Sequence, residues 1–244
     1  MANIKLTIQY EGTNYIGWQK QPKGDSIQRE IEKAIKQITG EEVDLIGSGR
    51  TDSGVHAIGQ VANFHTNSSI PPDRFMYALN SKLPEDISIV KSEEVAKDFH
   101  SRYDAIGKRY KYLIYNHPIR NPLYRRFVYH VFYPLDYHEM NKGIRYFIGT
   151  HDFTSFMSAN SNVDNPIRRI DQSFLSREGD LIIFSIEGNG FLYNMIRIIV
   201  GTLVEIGRGV MKPHNIPHII ESKNRELAGP TAPPQGLYLE KVYY

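Results

Sequence analysis

The chain has 244 residues, which is enough for one large domain or two small ones with a substantial core. It contains no cysteine, which excludes disulfides and thiolate chemistry and favours a cytoplasmic enzyme. No apolar run approaches the length needed to span a membrane, and a formal net charge of +2 is weak support for a nucleic-acid partner.

The first predicted elements are a strand and a helix, separated by an aromatic segment that glycines interrupt. Residues 4–10 alternate apolar and polar side chains, as a half-buried strand does. The segment Y-E-G-T-N-Y-I-G-W-Q follows and holds the only tryptophan. A helix is predicted after Asp25, because Asp25 and Gln28 stand at the capping-box interval and Gly40 closes the apolar pattern.

The most informative stretch runs from residue 44 to residue 66, D-L-I-G-S-G-R-T-D-S-G-V-H-A-I-G-Q-V-A-N-F-H-T. Three glycines between residues 47 and 54 mark a short loop between two strand-like runs. Glycines this dense release the backbone from the usual φ limits and let another group approach closely. The loop presents Arg50 and Asp52, and loops mounted on a sheet frequently carry function.

Several familiar loop types do not fit this stretch. A phosphate-binding loop needs a lysine after its last glycine, and none follows Gly54. The dinucleotide fingerprint has glycine where Asp52 stands and continues into a helix. Asp52 and His56 as metal ligands lack the support of cysteines, an HExxH motif or a carboxylate-rich loop. Spacing alone leaves two interpretations open: Asp52 caps a tight turn, or it is a functional carboxylate.

The rest of the first half is predicted as a helix, a strand and a polar connection. Two prolines open the helix over residues 73–82, and the short strand covers 87–90. A mixed, polar stretch then leads to a domain boundary near residue 105. The predicted domains are residues 1–105 and 106–244.

The second half opens with K-R-Y-K-Y-L-I-Y-N, a strand with Tyr110 and Tyr112 on one face and Arg109 and Lys111 on the other. One interpretation is an edge strand protected by its cations. The other is a nucleic-acid platform, because bases stack on aromatic rings while cations meet phosphates. Five further arginines suggest a path for an RNA backbone: Arg120, Arg125, Arg126, Arg168 and Arg169.

The elements that follow are predicted from apolar patterns. A helix is marked by Met140, Ile144, Phe147 and Ile148. The motif H-D-F-T-S-F at 151–156 invites a catalytic-dyad interpretation, but a capped turn with two core phenylalanines is preferred. The predicted elements then end with a buried strand over 181–186, a helix over 214–220 and a closing strand over 237–243.

Between them lies F-L-Y-N-M-I-R-I-I-V-G-T-L-V-E-I-G, which is apolar almost all round and predicts a central helix. Arg197 stands inside it between two isoleucines. A buried guanidinium is costly unless it is paired and hydrogen-bonded. Snorkelling to solvent is the structural alternative, but the apolar neighbours argue against it. We therefore expect a carboxylate partner from elsewhere in the chain, and Asp52 is the candidate.

The segment G-S-G-R-T-D-S-G-V-H-A-I-G-Q-V-A-N-F resembles the catalytic segment of the TruA-type tRNA pseudouridine synthase family. The resemblance implies that Asp52 is the nucleophile, with Arg50 beside it to fill the space of the displaced base or to hold a phosphate. It also implies that Tyr110 stacks on the target uracil, that Arg197 is the basic partner of Asp52, and that Leu237 borders the base pocket.

The resemblance extends over essentially the whole chain. It implies an α+β pseudouridine synthase fold, in which two similar RRM-like halves form one extended mixed sheet flanked by helices, with the active-site cleft between them. It further implies a homodimer that isomerises uridine to pseudouridine in the anticodon stem-loop of tRNA, at positions 38 to 40, with no cofactor and no metal. Whether the carboxylate attacks C6 of the base or acts at C1′ through a glycal is left open.

Two other classes of function remain as alternatives. A binding-only protein with two RRM-like halves would explain the tyrosines and arginines, but the characteristic RRM strand K/R-G-F/Y-G/A-F-V-x-F/Y is missing from the sequence. A nucleoside hydrolase or glycosylase would use Asp52 as well. Product analysis separates these classes, because isomerisation retains the base and hydrolysis releases it.

Overall fold

The computed structural model describes residues 1–158 and 163–244 and divides the chain into two compact units, residues 1–106 with 238–244 and residues 107–237. The closing strand therefore belongs with the N-terminal residues, whereas the sequence placed it in a C-terminal domain of residues 106–244. The reason is strand pairing, which a division at one point along the chain cannot represent. Tyr238 and Leu239 pair in parallel with His56 and Ala57.

Within the described residues the chain forms ten strands and five α-helices. The strands are β1 (Ala2–Tyr10), β2 (Ile46–Gly47), β3 (His56–Thr66), β4 (Ile87–Val95), β5 (Gly107–Asn116), β6 (Tyr129–Val131), β7 (Gly149–Asp152), β8 (Ile167–Glu178), β9 (Leu181–Gly188) and β10 (Leu237–Tyr243). The helices are α1 (Ile27–Thr39), α2 (Phe75–Asn80), α3 (Tyr137–Ile144), α4 (Met195–Gly207) and α5 (Asn215–Ser222).

The sheet of the first unit has the strand order β4-β1-β3-β10, with β2 paired to β3. Strand β1 lies antiparallel to both β3 and β4, and β10 lies parallel to β3. The alternating pattern predicted for β1 is confirmed, because Ile4, Leu6 and Ile8 are all buried. The unit is thus a mixed sheet with helices, as the predicted α+β class requires.

Helix α1 begins one residue later than the sequence suggested. Ser26, not Asp25, is the N-cap, and its hydroxyl accepts a hydrogen bond from the Arg29 amide. Serine fits this position as well as aspartate does, so the composition could not distinguish the two. The helix ends at Gly40 in the left-handed conformation, with φ of 76°, as predicted. Helix α2 is shorter than the predicted range, because a 3-10 turn forms its first residues.

The sheet of the second unit has the order β5-β9-β8-β7, and all three of these pairings are antiparallel. Strand β6 lies parallel to the end of β5, at residues 114–116. This sheet is therefore also mixed, and β5 has a partner on β9 along most of its length. Helix α4 is almost entirely buried and packs against α3, where Gly207 lies close to the Met140 side chain.

Two predictions for the second unit had different outcomes. Ile148 is exposed and lies beyond helix α3, because a 3-10 turn ends the helical segment before it. The interpretation of H-D-F-T-S-F as a capped turn is confirmed. The Asp152 carboxylate accepts hydrogen bonds from the amide and hydroxyl of Thr154, and Phe153 and Phe156 are fully buried.

Among the residues that the structure describes, no helix has both the length and the apolar character needed to cross a membrane.

Candidate active site

Asp52 lies on the loop between β2 and β3, and its side chain is half-buried. The loop turns tightly after it: the Val55 amide donates to the Asp52 carbonyl oxygen at 3.1 Å, and Gly54 has a φ of 77°. Arg50 is exposed on the same loop. The structure therefore places both predicted residues on one short turn.

The segment from Tyr10 to Trp18 holds this loop from one side. The Trp18 amide donates to the Thr51 carbonyl oxygen at 3.1 Å, and the Tyr10 and Thr51 hydroxyls are 2.7 Å apart in a buried contact. The Ser53 hydroxyl donates to the Tyr15 carbonyl oxygen at 3.1 Å. The residues on both sides of Asp52 are thus tied to the end of β1 and the segment after it.

Two glycines allow this close approach. A Cβ on Gly17 would lie 2.4 Å from the Thr51 carbonyl oxygen, and one on Gly12 would lie 2.0 Å from the Val55 carbonyl oxygen. Either atom would force the two backbones apart. The sequence of this glycine-interrupted aromatic segment does not reveal its contact with the Asp52 loop, because backbone contacts leave no side-chain pattern. Gly12 and Gly17 were the only feature of the segment that could have indicated a close approach of another backbone.

Strand β3 holds the other side of the loop through Gln60, which is fully buried. Its amide group donates to the Gly49 carbonyl oxygen at 3.0 Å, and its side-chain oxygen accepts from the Ser48 hydroxyl at 2.6 Å. Hydrogen bonds to backbone and side chains on both flanks fix the position of Asp52.

His56 is buried, and one of its two ring nitrogens is already hydrogen-bonded. Its Nδ1 accepts a hydrogen bond from the Gly12 amide at 2.9 Å, and its ring lies 4.9 Å from the ring of Tyr238. The structure shows no group of three or more His, Cys, Asp or Glu side chains that could hold a metal ion among residues 1–158 and 163–244.

In the second unit Tyr110 lies on β5 opposite Ile186 of β9 and is 7% exposed. Its ring meets Phe191 edge to face, with centroids 5.3 Å apart. The neighbouring Arg109, one of the cations of the strand pattern, is ion-paired within the same unit. Its Nε and Nη2 atoms lie 2.9 and 2.8 Å from one carboxylate oxygen of Glu187, its cross-strand partner.

Arg197 is half-buried, where the sequence predicted a buried arginine. The helix begins only at Met195, which places Arg197 in its first turn, next to the chain that precedes it. Its Nε donates to the Ala232 carbonyl oxygen at 2.8 Å, and its Nη1 donates to the Asn194 side-chain oxygen at 2.6 Å. Glu205, the acid of the same helix, pairs with Arg208 at 2.8 Å.

The segment from Ala232 to Leu237 connects Arg197 with strand β5. The Ala232 amide returns a hydrogen bond to the Arg197 carbonyl oxygen at 3.0 Å. The Tyr112 hydroxyl donates to the Pro233 carbonyl oxygen at 2.6 Å. Leu237 itself is buried. Within the second unit, the structure thus brings Arg197 and the segment that ends at Leu237 together.

Comparison with known proteins identifies the family. The model of the tRNA pseudouridine synthase family matches residues 6–104 and 144–244. The chain is 57% identical to tRNA pseudouridine synthase A of Acetivibrio thermocellus and 56% identical to that of Caldicellulosiruptor saccharolyticus, and covers 100% of each. Among solved structures, it resembles a chain of the archaeal box H/ACA sRNP Nop10–Cbf5 complex, with a TM-score of 0.38 and 12% identity, over 82% of this chain and 44% of that one.

The family match includes the loop of Asp52, the helix of Arg197 and the segment that ends at Leu237. Tyr110 lies between the two matched ranges, in a part of the chain that the full-length relatives also cover. The chain belongs to the tRNA pseudouridine synthase family and is an isomerase that converts uridine in tRNA to pseudouridine.

Proposed function

We propose that this enzyme modifies uridines in the anticodon stem-loop of tRNA, at positions 38 to 40, with Asp52 as the catalytic nucleophile. The observation that supports this role best is the rigid setting of Asp52. The residues around it are hydrogen-bonded to the Tyr10–Trp18 segment on one side and to Gln60 on the other. Precise positioning of a reacting group is a large part of enzymatic rate enhancement.

The reaction needs a carboxylate and no change of oxidation state. The glycosidic bond between N1 and C1′ breaks, the uracil turns, and a bond forms between C5 and C1′. The base loses its C5 proton and gains a proton on N1, so that substrate and product have the same composition. Attack on C6 and assistance at C1′ both require Asp52 to be ionised.

Arg197 is the proposed partner that keeps Asp52 ionised. A guanidinium beside a carboxylate favours the charged form. The hydrogen bonds from Arg197 to Ala232 and Asn194 give its side chain a fixed direction, which an ion-pair partner in an active site needs. The apolar sequence around Arg197 and the family resemblance support the proposed pairing.

The other residues would receive the base and replace it. Enzymes that act on a base inside a helical stem move that base out of the stack. In this proposal the uracil lies on Tyr110 and is bordered by Leu237, while Arg50, which is exposed on the Asp52 loop, takes the vacated space or a backbone phosphate. We propose that the reaction takes place in the cytoplasm, where tRNA acts in translation.

The test of the function is a map of modified positions. A tRNA transcript with uridine at positions 38, 39 and 40 is incubated with the full-length enzyme, treated with carbodiimide and read by primer extension. We expect stops at one or more of these positions after enzyme treatment, and no stop when the uridine concerned is replaced by cytidine. Modification confined to another part of the tRNA would contradict the proposed site, and release of free uracil would indicate a hydrolase.

We also propose that the enzyme acts as a homodimer in which both subunits grip one tRNA, as the family resemblance implies. Light scattering coupled to size exclusion should give about twice the mass of one chain at micromolar concentration. A fully active monomer under the same conditions would contradict the proposal.

A further inference from the structure

The second unit contains a pocket of about 550 Å³ that includes none of the proposed active-site residues. Tyr115, Tyr124, Tyr129 and His130 form its aromatic part, and Arg120 and Arg125 are its cations. A volume of this size is typical of small-molecule and cofactor sites. The pocket therefore has room for a ligand larger than a few water molecules.

The positive charge of the pocket favours an anionic ligand. Arg120 and Arg125 are both exposed, and the residues that line the pocket include no aspartate or glutamate. The sequence around them, residues 117–135, contains three arginines and no acidic residue at all. Elsewhere in the same unit Arg109, Arg169 and Arg208 each form an ion pair with a carboxylate. An anionic ligand complements the pocket, and an acidic side chain from the lining does not compete for it.

The aromatic side chains of the pocket favour a ligand with a flat ring, such as a nucleotide base. Tyr115 and Tyr124 meet edge to face with centroids 5.6 Å apart, and His130 lies 5.8 Å from Tyr115. Tyr124 remains 37% exposed, so part of its ring is available for contact. Aromatic rings beside arginines are the usual means of binding an unpaired nucleotide, because the base stacks on the ring and the phosphate meets the cation.

We infer that this pocket binds one unpaired nucleotide of the RNA substrate, with the base against Tyr124 and the flanking phosphates at Arg120 and Arg125. This inference rests on the proposed function, since an anticodon loop supplies unpaired nucleotides next to positions 38 to 40. The pocket is also lined by Pro233 and Gln235. Both belong to the segment that Arg197 and Tyr112 hold and that ends at Leu237. The nucleotide is therefore one close in sequence to the target uridine.

The test uses the full-length enzyme and an anticodon stem-loop RNA, with affinity measured by fluorescence anisotropy. Tyr124→Ala should weaken binding about tenfold, the range expected when one stacked base loses its platform, whereas Tyr124→Phe should bind as the wild type does. Replacing both arginines, Arg120→Gln with Arg125→Gln, should weaken binding and lower the dependence of log K on log salt by about 0.7 for each lost phosphate contact. Arg177→Gln is the control, because Arg177 is an exposed arginine of the same unit whose Nε donates to Gly179.

A second series identifies the nucleotide. Each unpaired base of the loop is replaced in turn by an abasic site, and each RNA is measured with the wild type and with Tyr124→Ala. At one position the abasic RNA should bind the wild type more weakly, while Tyr124→Ala should show no further loss there. Circular dichroism spectra and melting temperatures establish that the variants are folded, and Tyr124 is exposed enough for its replacement to leave the core intact.

The inference is overturned if Tyr124→Ala and the double arginine variant bind with wild-type affinity and salt dependence. It is also overturned if the variants keep their RNA affinity but change the oligomeric state in a sedimentation experiment, because the pocket would then be a contact between copies of the chain. Conversion of uridine by the wild type is measured on the same RNA. If the wild type converts uridine and the pocket variants bind RNA as the wild type does, only the inference about the pocket is contradicted. If the pocket variants bind more weakly but the wild type converts no uridine, only the proposed function is contradicted.

Discussion

The loop of Asp52 and the loop that follows β5, residues 117–128, are held in opposite ways. The Asp52 loop is fixed by partners distant in sequence: Tyr10 and Gln60 are both buried and both hydrogen-bonded to it. The 117–128 loop is largely exposed, and several of its hydrogen bonds are local, such as those from the Leu123 amide to Asn121 and from the Val128 amide to Tyr124. The proposed nucleophile needs a fixed position, whereas the proposed nucleotide-binding surface can adapt to its RNA.

The largest effect is expected at the centre of the fixed loop. Asp52→Asn and Asp52→Ala should abolish conversion while the protein still folds and binds tRNA, because the half-buried carboxylate is the proposed nucleophile and the hydrogen bonds that hold the loop involve its neighbours. Conversion is measured at saturating tRNA and binding is measured separately. An Asp52→Ala enzyme that converts tRNA at nearly the wild-type rate would contradict the proposal that the Asp52 loop is fixed for catalysis.

The next effect concerns Arg197. Arg197→Met removes two hydrogen bonds from a charged donor, each worth about 1.5–3 kcal/mol, and should lower both the melting temperature and the rate. Because less Asp52 would be ionised at neutral pH, the acid limb of the pH–rate profile should move to higher pH. Arg197→Lys keeps the charge and should retain more activity than Arg197→Met. Identical pH profiles for the wild type and Arg197→Met would contradict the pairing with Asp52.

Tyr110 is expected to act through its ring. Loss of a stacking platform costs about 1–3 kcal/mol per base, so Tyr110→Ala should bind and convert tRNA poorly, while Tyr110→Phe keeps the ring and much of the binding. Steady-state kinetics and tRNA affinity of both variants test this. If both variants behave alike in binding and turnover, Tyr110 has a structural role, such as its contact with Phe191.

The smallest effect tests the support of the Asp52 loop. The Tyr10 hydroxyl is protonated at neutral pH, and burial raises its pKa above the ordinary value, so it remains protonated in alkaline solution as well. Tyr10→Phe leaves the buried Thr51 hydroxyl without this partner, which should cost about 1–3 kcal/mol of stability and lower kcat more than it raises KM.

The matched control for Tyr10→Phe is Tyr137→Phe, which removes a hydroxyl hydrogen bond to the Leu175 carbonyl oxygen in the second unit. The Tyr137→Phe variant should be less stable than the wild type but should keep the wild-type kcat. Equal effects of the two variants on kcat would show that the Tyr10 contact serves folding alone.

The sequence predicted local structure well where a periodic pattern exists. The alternation in β1 and the glycine at the end of α1 are both seen in the structure. The patterns failed where partners come from distant parts of the chain. Glu187 is the cross-strand partner of Arg109, and no feature near residue 109 indicates it. The return of β10 to the first unit is likewise a matter of pairing with β3.

The same limit applies to the candidate site. The dense glycines and the family motif were enough to single out Asp52, but its supporting contacts come from the Tyr10–Trp18 segment through backbone atoms. Arg197 was predicted to be buried because its neighbours are apolar. The start of the helix at Met195 places it instead where its guanidinium reaches Asn194 and Ala232.

We propose that Asp52 is held in place to act on a uridine turned out of the anticodon stem. The most direct measurement is a crystal structure of Asp52→Asn bound to an anticodon stem-loop RNA, since the amide keeps the shape of the carboxylate. We predict that the target uracil lies outside the stack against Tyr110, with the side chain at position 52 within about 3–3.5 Å of C6 or C1′. A target uridine that stays stacked, or one that binds with the side chain at position 52 out of reach of both atoms, would contradict the claim.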